Sequence, residues 1–232
     1  MTTTQPYGTP EAPRLAVHGE AHLDVDPELA RITVTVTARG TNRRTTLDDL
    51  THRNTHIITL VKSYGDAVEK LETSAFSLSP ELTKHGRGER VKTYRGTACT
   101  SAELTDFTAL GELTTRLADL DLTRVDGPWW SLRPNSPAHS EVRRRAVHQA
   151  VARAREYADA LGTTLAALIE LSDPGAENTA PAYGRPAAAG MAFRSAAPGS
   201  AEPTTPALDL EPQRQSVHAR VNARFIMTPP AL

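Results

Sequence analysis

The chain has 232 residues, of which 39% are hydrophobic and 23% charged, a composition typical of a globular protein. The length suffices for one large domain or two small ones, and we expect one. The formal net charge of −1 argues against a nucleic-acid-binding protein, which normally carries a clear excess of basic residues. A single cysteine, Cys99, excludes an intramolecular disulfide and a cysteine-rich zinc site.

Residues 1–13 are rich in Thr, Pro, Gly and Glu, and we predict that they form a disordered segment. They lack the basic start and apolar run of a secretory signal. No segment of the chain approaches the ~20 consecutive apolar residues that a membrane-spanning helix needs. We therefore expect a cytoplasmic protein without a membrane span.

Two alternating segments come next. Apolar and polar residues alternate over 15–25 and again over 30–38, which is the period of a strand with one buried face. Asp26 and Pro27 interrupt the alternation with turn-forming residues. The two strands are predicted to form an antiparallel hairpin.

A helix and two further strands are predicted to follow. The helix runs roughly over 44–63 and ends at Gly65, and its apolar face comprises Leu47, Leu50, Ile57, Ile58 and Val61. Residues 68–82 and 90–104 resemble strands joined across the polar stretch 85–89.

A second helix and a fifth strand are predicted between Asp106 and Leu132. Asp106 is a plausible N-cap, and the apolar residues that recur after it at helical spacing are Phe107, Leu110, Leu113, Leu117 and Leu120. The strand covers 125–132, and Gly127 and Pro128 within it indicate a bulge or an edge position.

The pattern is clearest over 136–171. Ser136 can cap a helix that begins with Pro137, and Gly162 can take the positive φ after its last turn. The side of this helix predicted to face the core comprises Ala146, Val147, Ala150, Val151, Ala154, Tyr157, Ala158 and Leu161. Residues 165–171 are almost entirely apolar, which predicts a strand covered on both faces.

The composition then changes, and residues 174–206 are dominated by Ala, Pro, Gly and Ser. We predict a mobile loop or arm there, followed by a last alternating strand over 217–227. The predicted fold is therefore α+β, with antiparallel or mixed sheets and three helices packed against them, in the order ββαββαβαβ, long loop, β. A single domain is expected to comprise 14–173 and 207–228.

This order of elements resembles the SIMPL-domain family, long catalogued as a domain of unknown function. The residues that carry the resemblance are 17–21 (VHGEA), 26–30 (DPELA), 94–96 (YRG), the alanine-rich helix over 146–162 and 217–221 (VHARV). Two positions depart from the family pattern, since Glu28 stands where Asp is usual and Gln213 where Gly often occurs.

The resemblance implies an α+β domain and, because some members form large ring-like or channel-like assemblies, a homo-oligomer. It also implies loose links to oxidative stress in bacteria and to a signalling kinase in animals. The family lacks an agreed set of catalytic residues. Many bacterial relatives carry a secretion signal for the periplasm.

Two sets of side chains are candidates for a metal site or a nucleic-acid site. His52 and His56 are four apart on a helix, a spacing that metal sites use, but Asp48 and Asp49 are placed to pair with this face. A solvated charged face is the favoured interpretation. For the arginines of the third helix, acidic neighbours at helical spacing favour a salt-bridged surface or subunit contact over nucleic acid.

Trp129 and Trp130 are adjacent in a strand, so their side chains must point to opposite faces. One can join the core, and the other is suited to a subunit contact or to a small-molecule site. Tyr183, Met191 and Phe193 are isolated apolar residues in the predicted loop, which is either a docking arm or a passive linker.

The sequence lacks nucleophile-elbow, phosphate-loop, dinucleotide and His-Glu-x-x-His motifs, so we predict no catalytic residues, no metal and no cofactor. Our first hypothesis is a non-enzymatic protein that assembles with copies of itself, with a role as a stress-related scaffold. The alternative is a small-molecule binding or stress-response module with a pocket near Trp129 or Trp130. An unrecognised enzyme is the third hypothesis.

Overall fold

The computed structural model describes residues 8–82, 91–173 and 208–230. In this part of the chain the strands are β1 (Arg14–Val25), β2 (Leu29–Gly40), β3 (Val68–Leu82), β4 (Val91–Leu104), β5 (Thr123–Ser131), β6 (Leu165–Ser172) and β7 (Gln215–Met227). The helices are α1 (Arg43–Lys62), α2 (Phe107–Ala118) and α3 (Pro137–Ala160), with a short 3₁₀ helix at Gly65–Ala67. The predicted α+β class and the predicted order of elements are confirmed.

The chain divides into two compact units, each with its own sheet. The first covers Met1–Val25, Pro134–Gly199 and Ser216–Leu232, and the second covers Asp26–Arg133 and Ser200–Gln215, in each case as far as these residues are described. The expectation that they form a single domain stays a prediction, and each unit is described by itself. The predicted loop at 174–206 and the connection at 85–89 lie outside the described residues.

The second unit has a four-stranded antiparallel sheet in the order β3-β4-β2-β5. Every second residue of β2 is buried in a core that also contains residues of α1 and α2. These residues of β2 are Ala30, Ile32, Val34, Val36 and Ala38. The N-terminus of each helix is capped by a side chain, that of Asn42 for α1 and that of Asp106 for α2. The edge position and the irregularity predicted for β5 are confirmed, because its register with β2 shifts between Arg31 and Thr33.

The buried face of α1 differs in part from the predicted one. Leu50, Ile57 and Val61 are buried as expected, but Leu47 is 37% exposed. Thr46 takes a place in the core instead, and its hydroxyl donates to the carbonyl of Asn42 at 2.7 Å. A threonine can be buried here because the first turn of a helix offers a nearby acceptor.

The first unit has a three-stranded sheet in the order β1-β7-β6. The Met227 N–H donates to the Pro13 carbonyl at 2.9 Å, and Glu20 pairs with Arg220, so β7 runs antiparallel to β1. Helix α3 packs over β1, and its buried residues include Ala146, Ala150, Ala154 and Ala158, four alanines at a spacing of four. The cap at Ser136 and the positive φ at Gly162 are confirmed.

The predicted hairpin of the first two strands is wrong, because β1 and β2 lie in different sheets. Alternation of apolar and polar residues defines which face of a strand is buried, but it does not define the partner strand. Asp26 and Pro27 end β1, and the chain then enters a sheet in which β2 pairs with β4 and β5.

Two predictions of burial in the first unit are also wrong. Strand β6 was expected to be covered on both faces, yet Leu168, Ile169 and Leu171 are 53%, 41% and 46% exposed. On α3, Tyr157 and Leu161 were assigned to the core face and are 52% and 39% exposed. The common reason is that the alanine stripe of α3 contacts β1 extensively and β6 only slightly.

Candidate functional site

A cavity of about 590 Å³ opens over the paired strands β1 and β7. Its lining residues are Glu20, Ala21, His22, His218, Ala219 and Arg220. Five of these six belong to the two short stretches, 17–21 and 217–221, that carry the family resemblance. The structure therefore brings together two sequence stretches from near the start and near the end of the described chain.

Two imidazoles and one ion pair form the polar lining of this cavity. The ring centres of His22 and His218 are 6.2 Å apart, and their planes are tilted by 34°. Glu20 Oε2 lies 3.5 Å from Arg220 Nε. The hydroxyl of Ser216 lies 3.0 Å from Nε2 of His218. The lining is thus a pair of cross-strand histidines beside a compensated pair of charges.

His18, two residues before Glu20 on β1, has a partner of its own. Arg153 Nη1 lies 3.0 Å from His18 Nε2 and donates to the His18 carbonyl at 2.8 Å. Because an arginine can only donate, Nε2 of His18 is the acceptor in this contact. His18 therefore differs from His22 and His218, whose rings face each other.

Two further cavities, of about 350 and 410 Å³, lie along α1 and share His52 and His56. The predicted neutralisation of this face is present in part, because Arg53 donates to Asp49 at 3.0 Å. Arg53 also donates to the carbonyl of Asp121 at 3.3 Å. Within residues 8–82, 91–173 and 208–230, no three His, Cys, Asp or Glu side chains are grouped as a ready metal site.

Three arginines of α3, namely Arg144, Arg145 and Arg153, have acidic or backbone partners. Glu141 accepts from Arg145 Nε at 2.7 Å and pairs with Arg144, while Arg153 binds the backbone of β1. This arrangement agrees with the interpretation of a salt-bridged surface.

The two tryptophans point to opposite sides of β5. Trp130 packs against the core of its unit, with its ring 4.8 Å from the ring of Phe107 in an edge-on arrangement. Trp129 is 46% exposed, and the guanidinium of Arg31 lies 5.6 Å from its ring centre. Of the other predicted contact residues, Tyr183, Met191 and Phe193 lie outside the described residues.

Another feature is the apolar edge of the three-stranded sheet. Leu168 and Leu171 of β6 are opposite Phe225 and Ala223 of β7, which are buried, so these two leucines project on the core side of the sheet. They are nevertheless about half exposed. The edge therefore presents apolar side chains on the same side as the core.

Sequence reasoning did not predict the His22–His218 pair. In the sequence each histidine is one polar position in an alternating strand, which ordinarily faces solvent. The available signal was the resemblance itself, because both of its terminal stretches lie on strands that the fold makes neighbours.

Comparison with known families finds a match over most of the chain. The model of the family SIMPL, described as a protein of unknown function (DUF541), matches residues 15–225. A search of curated proteins found no match. Among the helices in the described part of the chain, none has the length and apolar character needed to cross a membrane.

Proposed function

This chain belongs to the SIMPL family of unknown function (DUF541), and we propose that it is a non-enzymatic protein that assembles with copies of itself through strand β6. The observation that carries the proposal is the half-exposed apolar surface of this edge strand. A stress-related scaffold is the biological role that the family resemblance suggests for such an assembly.

The exposed side chains of β6 are the first argument. Leu168, Ile169 and Leu171 lie within four residues of one another and are each at least 41% exposed. Scattered apolar residues are normal on a protein surface, but a contiguous group commonly marks a contact with another protein. Tyr157 and Leu161 of α3, in the same unit, are also exposed.

The backbone of β6 is the second argument. Within the described part of the chain, β6 is paired on one side only in the order β1-β7-β6, so the N–H and C=O groups of its other side have no described strand to bind. An edge with apolar side chains and unpaired backbone groups is a template for another strand. The same strand of a second copy, running antiparallel about a two-fold axis, supplies both the hydrogen bonds and the apolar cover.

The non-enzymatic part of the proposal is supported by the sequence, in which none of the common catalytic motifs occurs. The charged groups lining the cavity over β1 and β7, Glu20 and Arg220, are paired with each other. Such a pair favours a structural or binding role over general acid–base chemistry.

The experiment is a measurement of solution mass by light scattering at micromolar concentration. The full chain is expected to be a dimer or larger, and the variant Leu168→Lys/Leu171→Lys is expected to be a monomer, because lysines on an edge oppose strand addition. Phe76→Lys is the matched control, since Phe76 is 60% exposed on β3, an edge strand of the other sheet.

A monomeric full chain would refute the proposal. An unchanged mass in Leu168→Lys/Leu171→Lys would also refute the assignment to β6. Loss of assembly in Phe76→Lys alone would indicate that the contact lies on the four-stranded sheet instead. Circular dichroism of each variant shows whether it remains folded.

Trp129 supports a second candidate, a small-molecule site. Its exposed indole beside the guanidinium of Arg31 offers a stacking surface with a positive charge, which suits a planar anionic ligand. The three cavities described above are lined by other residues. Fluorescence titration of Trp130→Phe, which keeps only this indole, with planar anionic metabolites tests the site, and a flat response would reject it.

A further inference from the structure

We propose that His22 and His218 together bind a divalent late transition metal ion, with Cu²⁺ bound more tightly than Ni²⁺ or Zn²⁺. The two residues lie on neighbouring strands β1 and β7 and line the same cavity. The site is independent of the self-assembly proposed for β6, which lies on the opposite edge of the same sheet.

The separation of the two rings suits one ion. With metal–nitrogen bonds of about 2.0–2.1 Å, two imidazoles on one ion have ring centres roughly 5 to 6.5 Å apart. The observed distance between the rings of His22 and His218 is 6.2 Å. The rings are already within this range, and both are exposed at the cavity, so small side-chain rotations can adjust the angle between them.

Ser216 orients one of the two ligands. Its hydroxyl oxygen lies 3.0 Å from Nε2 of His218. In the tautomer in which Nε2–H donates to this oxygen, Nδ1 of His218 has a free lone pair for the metal. A second partner that holds the far nitrogen of a ligating imidazole is a regular feature of metal sites.

The neighbouring groups explain why the pair, and not a larger cluster, forms the site. Nε2 of His18 accepts from Arg153, and the carboxylate of Glu20 faces Arg220. These pairings leave His22 and His218 as the two imidazoles that face each other across the strands. Water is then required to complete the coordination sphere.

This ligand set selects the metal. Imidazole suits Cu²⁺, Ni²⁺ and Zn²⁺, whereas Mg²⁺ and Ca²⁺ prefer oxygen ligands. Among the late divalent ions, affinity for a given nitrogen site is highest for Cu²⁺. Two imidazoles with water in the remaining positions also fit the tetragonal geometry that Cu²⁺ and Ni²⁺ adopt.

The test is calorimetric titration of CuCl₂, NiCl₂ and ZnCl₂ into the full chain without an added histidine tag. His22→Gln and His218→Gln should each weaken Cu²⁺ binding by more than the roughly tenfold that loss of an outer-shell partner costs. The matched control is His52→Gln/His56→Gln, which removes the other histidine pair, on α1, and should leave this binding unchanged. Copper electron paramagnetic resonance should show nitrogen ligands that are lost in the first two variants.

Three results would overturn the proposal: no Cu²⁺ binding by the full chain, unchanged binding in His22→Gln and His218→Gln, or loss of binding only in the α1 variant. Circular dichroism of the glutamine variants confirms the fold, and glutamine on an exposed strand position is not expected to disturb it.

Discussion

Gly19 of β1 lies directly against the backbone of Ala150 in α3. A Cβ placed on Gly19 would be 2.6 Å from the amide nitrogen of Ala150 and 2.8 Å from its Cβ, and closer still to the carbonyl oxygen of Ala146. Strand and helix approach this closely because one side contributes a glycine and the other a stripe of alanines. Both stretches belong to the residues on which the family resemblance depends.

The variant Gly19→Ala is therefore expected to lower the free energy of unfolding by about 1–3 kcal/mol, the usual cost of overpacking a core. The added methyl would meet backbone atoms, which cannot rotate away. Ala16→Val is the control, because Ala16 is exposed on the same strand. Urea unfolding measures both, and equal stability of Gly19→Ala and the parent would show that α3 is not in close contact with β1.

The tryptophans should report two environments. In Trp129→Phe the remaining indole, Trp130, packs against Phe107 and is expected to emit at short wavelength and resist quenching by iodide. In Trp130→Phe the remaining Trp129 is half exposed and is expected to emit at longer wavelength and be quenched. Identical quenching of the two variants would contradict the assignment of the two faces of β5.

The N-cap of α2 should contribute measurably to stability. One carboxylate oxygen of Asp106 accepts from the N–H groups of Thr108 and Ala109 at 2.9 and 3.1 Å. Asp106→Ala should cost about 1 kcal/mol in the free energy of unfolding. Asp119→Ala, at the opposite end of the helix, is expected to be neutral or slightly stabilising, because a negative charge there opposes the helix dipole. Thermal unfolding distinguishes the two variants.

Glu81 provides a prediction for pH. The pKa of Glu81 is lowered, chiefly because the hydroxyl of Thr93 donates to Oε2 at 2.8 Å and further because Arg39 is its ion-pair partner. A carboxyl group whose pKa is lower in the folded state stabilises the fold above its unfolded pKa, and this contribution is lost as the pH falls through the folded value. The carboxyl group is solvent-accessible, so the effect on stability is expected to be small.

Thr93→Val should raise the pKa of Glu81 toward its ordinary value, since the largest cause of the lowering is removed. Thr93→Ser keeps the hydroxyl and should retain the low pKa. Carbon-detected NMR titration of the Glu81 carboxyl measures both variants, and an unchanged pKa in Thr93→Val would show that the hydrogen bond from Thr93 is not the main cause of the lowering.

The local elements of the fold were predictable because their signals are local. Asp106 and Ser136 cap helices where the sequence indicated, and Gly162 takes the positive φ that follows α3. Strands β2 and β7 alternate in burial as their two-residue period predicts. Each of these features depends on residues that are close to one another in the sequence.

The pairing of strands and the burial of their faces were not predictable in this way. The alternation over 15–25 does not show whether β1 pairs with β2, the next strand in the chain, or with β7, its actual neighbour. The apolar run of β6 predicts burial on both faces, but an apolar run is equally compatible with an exposed edge strand. The His22–His218 pair was hidden for the same reason, because it exists only when β1 and β7 are paired.

The central position of β7 in the sheet β1-β7-β6 constrains the order in which the polypeptide can acquire its structure. Strand β1 emerges from the ribosome long before β7, the strand with which it pairs. Strand β6 likewise cannot pair until β7 has been made. By contrast, all four strands of the other sheet are complete once residue 131 has been made. During synthesis, residues 26–133 can therefore become ordered while β1 is still unpaired, a stage at which its apolar face is open to chaperones or to misassociation.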